Sequence, residues 1–201
     1  MEYKRLARLV EQCGLVLGSG SPRRVRLLNE VGVAYRQVIP SVDETQKKGE
    51  PPFAYAERLA IAKALFVLGM SGVVEPVIGC DTVVELSGRV LGKPADEAEA
   101  FSILSTLAGE RHTVCTALAI GRDGRVLESG YELTRVTFKL VTSRQIRDYI
   151  ATGEPLDKAG AYGIQGMGAF LVDSIEGPLD NVIGLPRMLL DELAGRVLDS
   201  Q

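Results

Sequence analysis

The chain has 201 residues, 46% hydrophobic and 24% charged, with 22 Gly and 9 Pro; this excludes disorder, collagen-like repeats and a coiled-coil rod, and predicts one globular domain over 1–201. Its 23 Lys and Arg against 26 Asp and Glu give a net charge of −3, which argues against coating nucleic acid by bulk charge. The start, MEYKRLARLVEQCG, carries charges where a signal peptide needs an apolar run, and no window reaches membrane-spanning length, so no membrane partner and a cytoplasmic location are expected.

In chain order, Leu15, Val16 and Leu17 lead into Gly-Ser-Gly-Ser and then Pro22, Val25, Leu27, Leu28 and Val31, which predicts strand, tight turn and helix. A strand over 35–39 and a mobile polar loop over 40–52 precede a helix over 53–68, with Tyr55, Leu59, Ala62 and Phe66 on its inner face. Val77 to Val84 forms the first arm of a hairpin that turns at Ser87 and Gly88 and returns through Val90 and Leu91. A helix over 96–107 follows, then strands over 112–120 and 125–138 joined by a turn at 122–124. Thr142 and Gln145 predict a capping box. Five glycines within 153–168, among apolar Ile164 and Met167, predict an ordered, close-fitting loop before a strand over 170–175 and a helix over 186–197. The fold class is mixed α/β, a twisted sheet with antiparallel hairpins and flanking helices.

Four sets of residues could carry chemistry. A turn entering a helix, with Ser19, Ser21, Arg23 and Arg24, offers backbone N–H groups, hydroxyls and guanidinium groups to a phosphate, or is simply a capped helix with solvated arginines. Gly18 and Gly20 begin a dinucleotide fingerprint, but Arg23 stands where its third glycine belongs, and a P-loop motif is absent. Asp43, Glu44 and Asp81 could hold a hard divalent ion or orient a water; Asp81, set among Val77, Ile78, Val83 and Val84, must meet a cation, a donor or solvent. Lys63 and Lys93 interrupt apolar surroundings and either snorkel to water or meet an anionic ligand. Gln165, between small neighbours, could read a uracil or thymine edge with its amide, with Thr82 adding a hydroxyl; a main-chain tie is the alternative. The single His112 reads as structural, and the scattered Cys13, Cys80 and Cys115 suggest neither disulfides nor zinc.

The segments GSGSPRRVRLL (18–28), VDE (42–44), ERLAIAKA (57–64), IGCDTVV (78–84), LGKP (91–94), EPLDKAGAYGIQGMGAF (154–170) and NVIGLP (181–186) together closely resemble the Maf family of nucleoside triphosphate pyrophosphatases, the septum formation inhibitors, over about 15–190. The resemblance implies an inosine-triphosphatase-like (Maf/Ham1-type) α/β fold with a cleft between two lobes, and hydrolysis of a nucleoside triphosphate between its α and β phosphates with Mg²⁺ or Mn²⁺. By motif match it implies that Asp81 is the general base, with Glu44, Lys63 and Lys93 as further active-site positions and Asp81 and Glu44 as metal ligands. It places Ser21, Arg23 and Arg24 on the phosphate turn, and Arg23, Thr82 and Gln165 at positions of base choice, in the pattern of the branch acting on dTTP and UTP. Gly18 and Cys80 stand where the family pattern has Ala. A homodimer is the implied assembly. The alternative is a non-catalytic nucleotide-binding or division-regulating protein that uses the same cradle.

Overall fold

The computed structural model describes residues 3–200. Among these residues seven helices and seven strands follow in the order α1 (Lys4–Cys13), β1 (Val16–Gly18), α2 (Pro22–Val31), β2 (Arg36–Val38), α3 (Pro52–Leu68), β3 (Val77–Leu86), β4 (Arg89–Leu91), α4 (Glu97–Leu107), β5 (Arg111–Arg122), β6 (Arg125–Phe138), α5 (Ser143–Ile150), β7 (Val172–Glu176), α6 (Leu179–Ile183) and α7 (Arg187–Asp199), with three short 3-10 turns between α5 and β7. The sheet order is β2-β1-β3-β5-β6-β7, with β4 paired to β3. β1 pairs in parallel with β2 and β3, whereas β3 with β4 and β6 with β7 are antiparallel, so the sheet is mixed as the hairpin signals predict.

The chain forms two compact units. Unit 1 comprises 1–81, 116–132 and 184–201; unit 2 comprises 82–115 and 133–183. In unit 1, Leu6, Leu17, Leu28, Leu59, Ile78 and Leu118 are fully buried and make the core. Helix α1 has no acidic residue in its first turn and no cap of its own; instead the Asp191 carboxylate on α7 accepts the Arg5 and Leu6 backbone N–H groups, both at 2.9 Å, satisfying donors that a helix start leaves orphaned. In unit 2, Leu104, Leu107, Val114, Phe138, Ile146 and Leu171 build a second core. Thr142 closes the expected capping box over α5.

Two expectations are corrected. Helix α3 buries Ala56, Leu59, Ala60, Lys63, Ala64 and Val67, not the stripe through Ala62 and Phe66, and Phe66 is exposed. The cause is Gly79 on β3: with no side chain there, α3 lies so close that an added Cβ would stand 2.6 Å from the Ala64 nitrogen and closer still to the Ala60 carbonyl oxygen. The predicted 40–52 loop is irregular through 51, with Pro52 opening α3, and it is strapped to α3 by Tyr55 and Arg58 rather than loose. Among the described residues, no helix is long and apolar enough to cross a membrane.

Candidate active site

In unit 1, contacts around β1, α2, α3 and β3 join six of the sequence-predicted residues: Ser19, Ser21 and Arg24 at the turn, and Lys63, Asp81 and Glu44 beside it. Strand β1 ends at Gly18, and the chain turns through Ser19, Gly20 and Ser21 into α2, where Pro22 takes the first helical position. Ser19 is buried; its hydroxyl oxygen accepts the Ser21 N–H at 3.2 Å, and its carbonyl accepts from the Gln37 amide at 2.7 Å. Arg24 lies beneath this turn. Its Nη1 donates to Ser19 Oγ at 3.0 Å and to the Cys80 carbonyl at 2.9 Å, and its Nε donates to the Gly184 carbonyl at 2.9 Å. One guanidinium therefore locks the turn to the strand residue that precedes Asp81. Arg23, the neighbouring guanidinium, is half-buried on the opening turn of α2.

Asp81 is 8% exposed and Lys63 is equally covered, so neither charge could stay unpaired. Lys63 Nζ donates to Asp81 Oδ1 at 2.6 Å and also pairs with Glu44 Oε1 at 2.6 Å. Two carboxylates from different segments thus converge on one ammonium. The close approach of α3 over Gly79 puts the Lys63 stem within reach. Burial pushes the Asp81 carboxyl above its usual range, opposed by the charges of Lys63 and Arg24, and Glu44 adds to the upward push. Beside it, burial raises the Cys80 thiol to about 11, and its Sγ donates to the Gly184 carbonyl at 3.3 Å, so it stays a protonated packing group.

Glu44 is half-exposed and owes its position to groups that sequence reading missed. The Tyr55 hydroxyl donates to the Glu44 carbonyl at 2.6 Å, and Arg58 Nη2 donates to the Thr45 carbonyl at 3.1 Å. Arg58 also grips Glu50 with two parallel bonds, 2.5 and 2.8 Å, which hold the Glu50 carboxyl down at about 2. The Asp43 carboxylate accepts the Thr45 N–H at 2.9 Å and so shapes the loop. The available signal was Arg58, beside Glu57 in a mostly apolar helix and five residues before Lys63.

Thr82, Lys93 and Gln165 belong to unit 2. Thr82 follows Asp81 along β3 and is half-buried. Lys93 is exposed just beyond β4, where the Gly160 N–H donates to the neighbouring Gly92 carbonyl at 3.1 Å. Gln165 is exposed within the glycine-rich loop. His112 is buried, as its apolar strand predicts: its Nε2 is 2.9 Å from the Tyr162 hydroxyl and its ring meets Phe138 edge-on, while burial lowers its pKa to about 4.

Among the described residues, no group of three His, Cys, Asp or Glu converges as a metal site. The donor set at Lys63 nevertheless suits a hard cation of the Mg²⁺ kind, which takes one or two carboxylates and completes its shell with water and substrate phosphates.

Fold and site define a mixed α/β protein whose buried carboxylate and ammonium pair lies beside an arginine-bearing, helix-opening turn. A family model described as Maf-like protein matches residues 14–197, and the chain belongs to that family. The dTTP/UTP pyrophosphatase of Shewanella sp. (strain MR-7) is 46% identical over 186 residues, covering 89% of this chain and 95% of that one. The dTTP/UTP pyrophosphatase of Moorella thermoacetica is 48% identical over 181 residues, covering 89% and 92%. Among solved structures, a nucleoside-triphosphatase (dITP/XTP pyrophosphatase) from Mycobacterium abscessus has a TM-score of 0.49 at 15% identity, over 92% of this chain and 93% of that one.

Proposed function

We propose that this protein is a nucleoside triphosphate pyrophosphatase that hydrolyses dTTP and UTP between the α and β phosphates, releasing the nucleoside monophosphate and pyrophosphate. The observation that carries the chemistry is the buried Asp81, held by Lys63 and joined there by Glu44, next to a turn that Arg24 locks to the same strand. The substrate reading draws on relatives of that name at 46 and 48% identity.

In this mechanism the Ser19–Ser21 turn and the start of α2 bind phosphate oxygens through backbone N–H groups, with Arg23 over the same oxygens and Arg24 holding the turn from beneath. Lys63 keeps Asp81 ionised despite its burial, and Asp81 orients the attacking water and accepts its proton on a carboxylate oxygen. Asp81 and Glu44 would hold Mg²⁺ or Mn²⁺, which when bound draws charge from the triphosphate oxygens. The resemblance to the family motifs assigns Lys93 to a further phosphate oxygen, and Thr82 and Gln165 to recognition of the pyrimidine edge. A cytoplasmic location, where these nucleotides are made, belongs to the same reading.

The test is incubation of the purified protein with each common nucleoside triphosphate and Mg²⁺ or Mn²⁺, with separation of the products. The expected result is UMP or dTMP with pyrophosphate from UTP and dTTP. Tight binding with no product would favour the non-catalytic nucleotide-binding alternative.

A further inference from the structure

The glycine-rich loop is built around a single carboxylate. Glu154 Oε1 accepts the Tyr149 hydroxyl at 2.9 Å and the Gly168 N–H at 3.2 Å, and Oε2 accepts the Met167 N–H at 2.8 Å. The Tyr149 hydroxyl oxygen in turn accepts the Gly163 N–H at 3.0 Å. The loop is therefore tied to one group where it begins, at Gly163, and where it ends, at Met167 and Gly168. Only Ile164, Gln165 and Gly166 lie between the two ties.

The glycines answer to this arrangement. A Cβ at Gly163 would stand 2.6 Å from Glu154 Oε1, one at Gly166 would meet both carboxylate oxygens with Oε1 at 2.5 Å, and one at Gly168 would lie 2.5 Å from the Tyr149 hydroxyl. None of these three has the positive φ that would require glycine for its backbone angle. They are glycine for room, so that the chain can close around the anion. Lys158 steadies the Glu154 segment from behind, donating to the Glu154 carbonyl at 2.7 Å and to Asp157 Oδ1 at 2.6 Å.

We propose that Glu154, acting with Tyr149, is a positioning residue that fixes where Gln165 stands and thereby sets the choice of uracil or thymine over cytosine. This rests on the reading of Gln165 as the base-recognising group. A primary amide offers a donor and an acceptor and can turn over, so it discriminates only where its backbone sets it against N3 and O2, a donor and an acceptor in uracil but two acceptors in cytosine. Uracil presents acceptor, donor, acceptor along its edge, and cytosine reverses two of the three. A three-residue loop pinned at both ends supplies the required fixity.

The test compares kcat/KM for UTP and CTP in Glu154→Gln, Tyr149→Phe and Gln165→Ala, with amide hydrogen exchange at Gly163, Met167 and Gly168 in the first two. Glu154→Gln keeps the shape but turns an NH₂ toward an N–H donor, so exchange at Met167 and Gly168 should quicken and the UTP preference should fall by about tenfold. Tyr149→Phe should free the Gly163 amide and lower the preference in the same direction, and it serves if Glu154→Gln does not fold. Gln165→Ala should abolish the preference. Equal losses for UTP and CTP, or quickened exchange with the preference kept within about twofold, would overturn the positioning role. An unchanged preference in Gln165→Ala would instead overturn the base reading, and the proposed role of Glu154 with it.

Discussion

Gly79→Ala should damage the active site without touching any of its polar groups. The added Cβ would lie 2.6 Å from the Ala64 nitrogen and 2.9 Å from the Ala64 Cβ, with the Ala60 carbonyl oxygen nearer still. Ordinary contact begins at 3.4 Å, so α3 must move off β3 by about 0.8 Å or more, and backbone atoms cannot swing aside as a flexible side chain can. Lys63 moves with the helix and leaves the 2.6 Å bond to Asp81. Overpacking of this kind costs roughly 2–3 kcal/mol, or about 5–10 °C in Tm for a chain of this size. A misplacement of about 1 Å at a reacting centre costs on the order of a hundredfold in turnover. Thermal melts and steady-state hydrolysis of UTP read the two effects separately. Adding Ala64→Gly should restore little, since it removes one of the three contacts and leaves the two backbone ones. A Gly79→Ala protein with Tm and turnover both near wild type would show that the close approach of α3 to β3 is not coupled to catalysis.

Lys63→Ala, which leaves Asp81 buried without its partner, should reduce turnover by about a hundredfold or more, measured as pyrophosphate release. Arg58→Ala should release the Glu44 loop and lower kcat by roughly tenfold; the charge exchange Glu50→Arg with Arg58→Glu should recover part of it, and no recovery would count against the strap. His112 stays neutral when folded, with its pKa lowered from 6.5 to about 4, so the unfolded chain takes up the proton first as pH falls. Stability should therefore drop by about 3 kcal/mol between about pH 6.5 and pH 4, and urea titrations of His112→Phe should show that dependence largely removed.

The sequence made the strands and most helices readable because their apolar periods and turn residues agree: the strand, turn and helix of 16–31, the hairpin about Ser87 and the capping box at Thr142 all stand where local chemistry puts them. Helix α1 was not legible, since its first turn lacks acidic residues and its cap comes from Asp191, 186 residues away. The inner face of α3 was misjudged for a similar reason. Periodicity ranks residues by hydropathy, whereas Gly79 selects Ala60 and Ala64 for contact by their small size and leaves Phe66 outside. In the site, Asp81 and Lys63 announced themselves as charges in apolar runs. Arg58, Glu50 and Glu154 did not, because their partners, backbone groups, a tyrosine hydroxyl and each other's charges, are brought near only by folding.

Asp81→Asn with UTP and Mg²⁺ separates a carboxylate that drives cleavage from a Ser19–Ser21 turn that holds the phosphates. Equilibrium binding and product formation are measured on the same folded preparation. UTP affinity should stay within several-fold of wild type while release of UMP and pyrophosphate falls by about a hundredfold or more. Undiminished release by the folded variant, or orthophosphate as the product of the wild-type enzyme, would contradict carboxylate-driven cleavage between the α and β phosphates.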